Sequence, residues 1–250
     1  MFIDKKFKDP KDDEFCCESV PYKQGAEARL YRCKYKENDG MLKERFQKTY
    51  RHETLDKKLI VERRKAEVRG INRCKELGIS VPEIYYVNEI NNFIIMEDLT
   101  NKTIVMKTFI ESLRIDLLDD TVKFEKILND LSYKLGLILG KMHEKNIIHG
   151  DLTTSNLLVS SNDINNKLFT IESIYIIDFG LAFMDKNAAE NKAVDLYVME
   201  RALKSTHHQL EFFFDSILEG YKSHNAEMAK KVLTKLDEIR LRGRKRDMTG

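Results

Sequence analysis

Two carboxylates and one amide, Asp151, Asn156 and Asp178, are the side chains whose types and spacing suit a definite chemistry. Asp151 and Asn156 share a polar turn, HGDLTTSN over 149–156, set between the apolar runs Ile147-Ile148 and Leu157-Leu158-Val159. Asp178 ends another apolar run, Ile174-Tyr175-Ile176-Ile177, and is followed by Phe179-Gly180. An aspartate that accepts a hydroxyl proton, with an amide and a second carboxylate that hold a hard cation, are the groups phosphoryl transfer requires. The flanking apolar runs read as buried strands that deliver these polar groups at their ends.

The two stretches are a variant of the protein-kinase signatures H-R-D-x-x-x-x-N and D-F-G. D-F-G alone is a weak signal; both, in order and each beside an apolar strand, are a strong one. Upstream, three strands are expected, over Phe15 to Tyr22, Arg29 to Lys36 and Met41 to Phe46, with a hairpin turn at Asn38-Asp39-Gly40. Between the first two, Gln24-Gly25-Ala26-Glu27-Ala28 stands where a kinase has its glycine-rich phosphate loop, with a single glycine. Small residues still admit phosphate close to the backbone, but the loop should be less pliable. Lys43 falls where the strand lysine of V-A-I-K would be. A charged helix over Asp56 to Leu77, closed by Gly78, can supply its carboxylate partner. Glu62 and Glu67 are both candidates, and periodicity does not choose between them.

Pro82 opens a second hairpin, whose outgoing strand ends at Glu97-Asp98. The chain then becomes mostly helical, which puts a lobe boundary near residue 98. In a kinase the backbone of this connector, Met96, Glu97, Asp98 and Leu99, would hold adenine. A mixed helix is expected from Thr103 to Leu117. Phe124, Ile127, Leu128, Leu131, Leu135, Ile138, Leu139 and Met142 form the core stripe of a long amphipathic helix leading into the catalytic turn. Residues 160–173 read as a surface loop. Helices are expected from about Ala193, from Gln209 to Ser223 and from Ala226 to Ile239.

Composition sets the outer limits. Apolar residues make up 42% and charged residues 34% of the 250, an ordinary globular balance. No apolar run is long enough to span a bilayer, and the first fifteen residues do not read as a secretory signal. Cys16, Cys17, Cys33 and Cys74 have no metal-ligand spacing, and unpaired thiols suit a reducing compartment, cytoplasm or nucleus. The net charge of +2 hides a division. Residues 240–250 carry five basic and one acidic residue, a local +4, which leaves −2 on the rest of the chain. Such a basic end suits a polyanionic or acidic partner.

Taken together, these residues resemble the small atypical kinase of the KEOPS (EKC) complex, in its eukaryotic form. The landmarks are Gln24 to Ala28, Lys43, Tyr50-Arg51-His52, Leu55-Asp56, Glu67-x-Arg69, HGDLTTSN, Ile177-Asp178-Phe179-Gly180-Leu181, Val194 to Val198, and Leu236-Asp237-Glu238 through Gly250. The resemblance implies an α+β, bilobal protein-kinase-like fold with a minimal C-lobe and a short activation segment. Its parts would be an N-lobe over 1–98, a helical C-lobe over 99–239 and a basic tail over 240–250. It implies ATP between the lobes, Glu67 as the partner of Lys43, and Asp151 as base or orienter of the attacking hydroxyl or water. Asn156 and Asp178 become Mg²⁺ ligands, and Asp195 a buried brace for the catalytic loop.

The same resemblance implies support for threonylcarbamoyladenosine formation at position 37 of ANN-decoding tRNAs. Its partners would be the catalytic threonylcarbamoyltransferase subunit on the C-lobe, a small adaptor subunit on the N-lobe, and tRNA. Arg240, Arg242, Arg244, Lys245 and Arg246 would reach the catalytic subunit or the tRNA backbone; no membrane is involved. The chain departs from ordinary kinases in three ways. Gly150 replaces the arginine that meets a phosphorylated activation loop. Thr153 replaces a lysine beside the transferring phosphate. Asp178 and Asp195 are separated by 17 residues, too few for the usual peptide-docking platform. The expectation is slow phosphoryl transfer, mainly ATP hydrolysis; the alternatives are a free-standing Ser/Thr protein kinase and a non-catalytic scaffold.

Overall fold

The computed structural model describes residues 15–161, 170–185, 189–207 and 209–247. Its first half is an antiparallel sheet. Strands β1 (Phe15–Cys17), β2 (Lys23–Gln24), β3 (Arg29–Tyr35), β4 (Asn38–Glu44), β5 (Ile84–Asn88) and β6 (Phe93–Glu97) pair in the order β1-β3-β4-β6-β5, with β2 also on β3. Alternation sorts the side chains onto two faces. Leu42, Phe93 and Ile95 pack on one face with Cys17, Tyr31 and Cys33; Met41, Ile94 and Met96 pack on the other, with Val68 of the long helix α1 (Glu53–Glu76). Lys43 shares the parity of Met41, so the pleat aims its side chain at α1.

Helix α1 is built to carry charge inward. Its buried positions, Asp56, Ile60, Arg64, Glu67, Gly70, Ile71 and Cys74, form one stripe in which only part is apolar. Asp56 accepts the backbone N–H of Lys48 at 2.8 Å, which secures the incoming segment. The helix ends as expected at Gly78, whose φ of +66° suits glycine, with the Ile79 N–H donating to the Cys74 carbonyl at 2.9 Å.

The second half contains α2 (Met106–Asp116), α3 (Thr121–Glu144), α4 (Ala189–Thr206), α5 (Glu211–His224) and α6 (Ala226–Asp247). A three-stranded sheet joins β7 (Ile104–Val105), β9 (Leu157–Ser161) and β10 (Ile171–Ile176). A small ladder pairs β8 (Ile147–Ile148) with β11 (Phe183–Met184). The predicted stripe on α3 lies against the main core, with Leu128, Leu131, Leu135, Leu139 and Met142 fully buried. The inner end of α1, Ile71 and Cys74, joins this same core and so ties the two halves together. This is an α+β, bilobal kinase-like arrangement.

Several local expectations need correction. The first strand is short, and the β3–β4 turn falls at Lys36-Glu37, where Lys36 takes φ +54°. Asp39 and Gly40 lie within β4. Gly40 is there for close packing: an added Cβ would meet Cys33 Sγ and Ile95 Cγ2 at 3.1 Å. Thr103 to Val105 is not helical, because Ile104 and Val105 pair with β9. Residues 171–173 belong to β10, while 162–169 of the expected loop, like the first fourteen residues, lie outside the described residues. The basic stretch expected as a separate tail from Arg240 continues α6 to Asp247. Cations at a helix C-terminus are favoured by the helix dipole, and Arg240 and Arg242 reach acidic partners from there.

Helices α3 and α5 cross with their backbones in contact. A Cβ on Gly136 would sit 2.1 Å from the Ile217 carbonyl oxygen, and one on Gly220 would sit 2.1 Å from that of Tyr133. Alanine improves helix propensity by about 1 kcal/mol, but overpacking costs about 1–3 kcal/mol, and backbone yields less readily than side chains. Gly136→Ala is expected to lower stability by about 2 kcal/mol in urea unfolding; a raised midpoint would contradict the close crossing.

Candidate active site

A chain of charges lines the interlobe cleft. Lys43 on β4 pairs with Glu67 of α1, and its Nζ also lies 2.9 Å from Asp178 Oδ1. The choice between the two helix carboxylates is made by facing: Glu67 is 1% exposed and turned to β4, whereas Glu62 is exposed and pairs with Lys58 on the outer surface. A second cation, Arg45, reaches both Glu67 and Asp178. The sequence reading passed over Arg45; its signal was the i, i+2 spacing from Lys43, which puts both on one face of a strand. Burial alone would raise the Asp178 carboxyl, but Lys43 first and then Arg45 outweigh it and hold it at about 2.

Asp178 has φ +62°, and the turn it opens places Phe179 in the core beneath His149, ring centroids 5.0 Å apart. Gly70 makes that possible, since a Cβ there would fall 2.7 Å from the Phe179 side chain. Helix α1 is therefore located twice against this turn, by charge at Glu67 and by shape at Gly70.

The catalytic turn is held from below by Asp195 on α4. Its carboxylate accepts the backbone N–H of His149 at 2.6 Å and of Gly150 at 2.9 Å. His143 Nε2 lies 3.3 Å from the same carboxylate, and the Tyr221 hydroxyl lies 3.0 Å from His143 Nδ1. Burial, then Asp195, raises the tyrosine well above its ordinary value, so its hydroxyl stays protonated beside Nδ1. His149 stitches the two motifs together. Its Nε2 donates to the Ile177 carbonyl at 3.0 Å, while its Nδ1 accepts the Asp151 N–H at 3.2 Å. His143 and Tyr221 were not singled out in the sequence, because nothing local marks a core histidine as the support of an aspartate 52 residues away.

Asp151 is exposed at the cleft. Asn156 Nδ2 donates to its carbonyl at 2.9 Å and its Oδ2 at 3.1 Å, which leaves the amide oxygen of Asn156 turned away from these bonds. The Ile177 N–H donates to the Asn156 carbonyl at 3.0 Å, so Asn156 and Asp178 are neighbours across two strand ends. One amide oxygen and one carboxylate are hard donors of the kind Mg²⁺ uses when phosphate and water complete its shell. Among the described residues no cluster of three or more His, Cys, Asp or Glu forms a complete protein cage. The donor set thus fits Mg²⁺ brought with a nucleotide.

The remaining expected residues divide by what they touch. In the loop, Gln24 accepts from Arg29 Nε at 3.1 Å, the Gly25 N–H donates to the Ala28 carbonyl at 2.9 Å, and Ala26 adds only a methyl group. Glu27 turns to Lys48, Arg51 and Arg63. Burial works against its charge, but Lys48, Arg63 and Arg51 together keep it below the usual carboxylate range. Three cations thus pin a loop that has few glycines. In the connector, Met96 is buried, Glu97 pairs with Lys102, Asp98 accepts the Thr100 N–H at 2.8 Å, and the Leu99 carbonyl caps Thr103. At the basic end, Arg240 is committed inside the fold, donating to Glu200 at 2.8 Å and lying over Phe214. Arg242 is exposed and paired with Glu190. The side chains of Arg244, Lys245 and Arg246 lie outside those described.

A strand lysine paired with a helix glutamate, beside an Asp-Phe-Gly carboxylate between two lobes, defines a protein-kinase-like enzyme. Residues 27–195 match the RIO domain family. Over 227 residues the chain is 39% identical to a mouse protein named EKC/KEOPS complex subunit Tp53rkb, covering 91% of this chain and 87% of that one. It is 38% identical over 201 residues to a Methanocaldococcus jannaschii protein named probable bifunctional tRNA threonylcarbamoyladenosine biosynthesis protein, covering 80% of this chain and 32% of that longer one. The solved Rio2 kinase–ADP/Mg²⁺–phosphoaspartate complex of Chaetomium thermophilum shares the fold, with a TM-score of 0.54 over 91% of this chain and 72% of the other at 18% identity. The chain belongs to the RIO-domain family of atypical kinases and, within it, to the family of EKC/KEOPS complex subunits.

The charge network sets a pH dependence. The carboxyl of Asp178 lies at about 2 in the folded chain against an ordinary 3.8. A depressed value adds stability that is complete above the unfolded value and is lost as pH falls through the folded one. The stability difference between wild type and Asp178→Asn should therefore shrink between about pH 4 and about pH 2. Urea midpoints measured across that window test it, and a constant difference would contradict the pairing.

Proposed function

We propose that this chain is a Mg²⁺- and ATP-dependent subunit of the KEOPS/EKC complex. Its turnover, chiefly ATP hydrolysis by an atypical Ser/Thr-type kinase site, supports threonylcarbamoyladenosine formation at position 37 of ANN-decoding tRNAs. The observation that carries the proposal is the closed Lys43–Glu67–Asp178 network in the cleft that also holds the Asp151–Asn156 pair. The names of its relatives support the complex and the tRNA pathway.

Lys43, oriented by Glu67, binds the nucleotide phosphates, and Asp178 with Asn156 holds Mg²⁺. Bound Mg²⁺ supplies neutralisation of the phosphate charge. Asp151 orients a water or hydroxyl and takes its proton. Thr153 leaves the site one cation short beside the transferring phosphate, which suits slow turnover. The segment after Asp178 is consumed by β11, paired with β8, and by α4 from Ala189, leaving little chain to dock a peptide. A partner that presents the substrate is the natural complement. That partner is the catalytic threonylcarbamoyltransferase subunit on the C-lobe, with a small adaptor subunit on the N-lobe. Arg242 and the basic residues after it contact tRNA phosphate, so this contribution should weaken steeply with salt. Buried free thiols at Cys33 and Cys74 suit the cytoplasm and nucleus.

Mg²⁺-dependent ATP turnover, measured with and without the catalytic subunit and tRNA, tests the proposal. Asp151→Ala is expected to reduce turnover by about 10²–10⁴. No turnover in any mixture, with modification still supported by that variant, would make the chain a scaffold. Deleting residues 243–250 spares the packed Arg240 and the Glu190-paired Arg242; ATP binding should persist while tRNA modification falls. Undiminished modification would remove the basic end from the mechanism.

A further inference from the structure

A groove of about 330 Å³ lies between α3, β10 and the link Gly78-Ile79-Ser80 that follows α1, and it shares no residue with the catalytic cleft. Its floor is aliphatic, with Ile79, Ile171 and Ile174 buried beside Leu137. One wall is the open edge of a sheet, because the order β10-β9-β7 gives β10 a neighbour on one side only. The Ile177 N–H donates to the Asn156 carbonyl at 3.0 Å, which makes those two a hydrogen-bonded pair; by alternation Ile176 and Ile174 turn their backbone groups away from β9. On that outer side the Ile176 N–H meets the Ser80 carbonyl at 3.0 Å. Two residues back, the N–H and C=O of Ile174 have no such partner among the described residues, and Ile174 lines the groove. The rim is basic. Lys134 is held by Asp130 and donates to the Ile171 carbonyl at 3.2 Å, whereas the half-buried Lys141 makes no ion pair or hydrogen bond among the described residues. Glu172 is the single acidic residue of the described lining, and it turns to Ser160 at 3.5 Å.

We propose that this groove docks an extended, acidic segment of a partner protein, which pairs with the edge of β10 at Ile174, seats an aliphatic side chain on the floor and brings a carboxylate to Lys141. At an open strand edge the main-chain groups supply affinity, and the pockets for alternate side chains supply selectivity. At about 3.3 Å per residue, the stretch from Ile171 to Ile174 accommodates about four residues of added strand. Successive side chains of that strand point to opposite sides, so an acidic residue beside an aliphatic one serves rim and floor together. Nucleic acid would match the charge of Lys141 but offers neither strand nor aliphatic side chain, which is why the groove favours a peptide. The segment after Asp178 leaves little chain to hold a protein at the cleft, and this groove gives the fold another place to hold one. The docking does not depend on whether the cleft turns over ATP.

The probe is a short fluorescent peptide that alternates aspartate or glutamate with valine or isoleucine, titrated with the full chain and read by anisotropy. It should bind about tenfold more tightly than a counterpart carrying lysine at the acidic positions. Lys141→Glu should weaken the acidic peptide by about tenfold and Lys141→Gln by less; the second variant supplies the readout if the first does not fold. Methylating the peptide amides one at a time should remove binding at alternate positions only, and the Ile174 amide should exchange more slowly in the complex. Equal binding of the acidic and basic peptides, or of the acidic peptide to wild type and both variants, would overturn the proposal. Tolerance of methylation at every amide would overturn the strand pairing and the proposal with it. Binding of a short oligouridylate that is lost in Lys141→Glu, with no binding of the acidic peptide, would make the groove a nucleic-acid contact and overturn it too.

Discussion

The cleft is organised by the need to neutralise Glu67 where it stands. A carboxylate that is 1% exposed pays a desolvation cost of several kcal/mol unless cations meet it directly. Lys43 on β4 and Arg45 just past its end do so, and their surplus charge is taken up by Asp178. The strand, the helix and the Asp-Phe-Gly turn come from three distant parts of the chain, so neutralising one side chain fixes their mutual positions. Phe179 against Gly70 adds shape to charge at the same junction. The lobes are thereby registered by contacts that do not wait for a modified activation segment.

The C-lobe uses a buried charge differently. Asp195 spends its carboxylate on two backbone amides of the catalytic turn and on His143, which Tyr221 supports in turn. Breaking one member of such a buried network leaves the others unsatisfied, so the turn carrying Asp151 is rigid because its support is complete. The support reaches α5 through Tyr221, and α5 comes that close to α3 because Gly136 and Gly220 allow backbone contact. A glycine in the helical layer and the position of a residue in the cleft are therefore linked.

Function follows from what has been kept and what has been shortened. The groups proposed to hold phosphate, metal and attacking oxygen stand in one cleft, while the stretch that would receive a peptide is little more than a two-residue strand and the start of a helix. Such a chain is equipped to turn over nucleotide and poorly equipped to choose a peptide unaided. Membership of the EKC/KEOPS subunit family accords with the proposed division of labour, in which partner subunits would supply what the segment lacks.

The chemistry was legible in the sequence because its determinants are local. HGDLTTSN, the Asp-Phe-Gly turn, the apolar stripe of α3 and the glycine closing α1 each express a geometry set within a few residues, and spacing alone reveals it. The ends of elements were less legible: the β3–β4 turn moved to Lys36-Glu37 because Gly40 was needed for packing, and α6 ran on because its arginines find acidic partners on α4 and within α6 itself. The choice of Glu67 over Glu62 could not be read from a helix that is charged all round, since it depends on which face the sheet covers. His143 and Tyr221, which support Asp195 from behind, were invisible for the same reason, whereas Asp195 itself came with the family resemblance and Arg45 carried only its i, i+2 spacing from Lys43. The sequence by itself determined which local motifs exist and what chemistry they can carry. Only the tertiary structure decided which charges meet, because the pairing of buried ions is settled by faces brought together from far along the chain, and no local spacing records it.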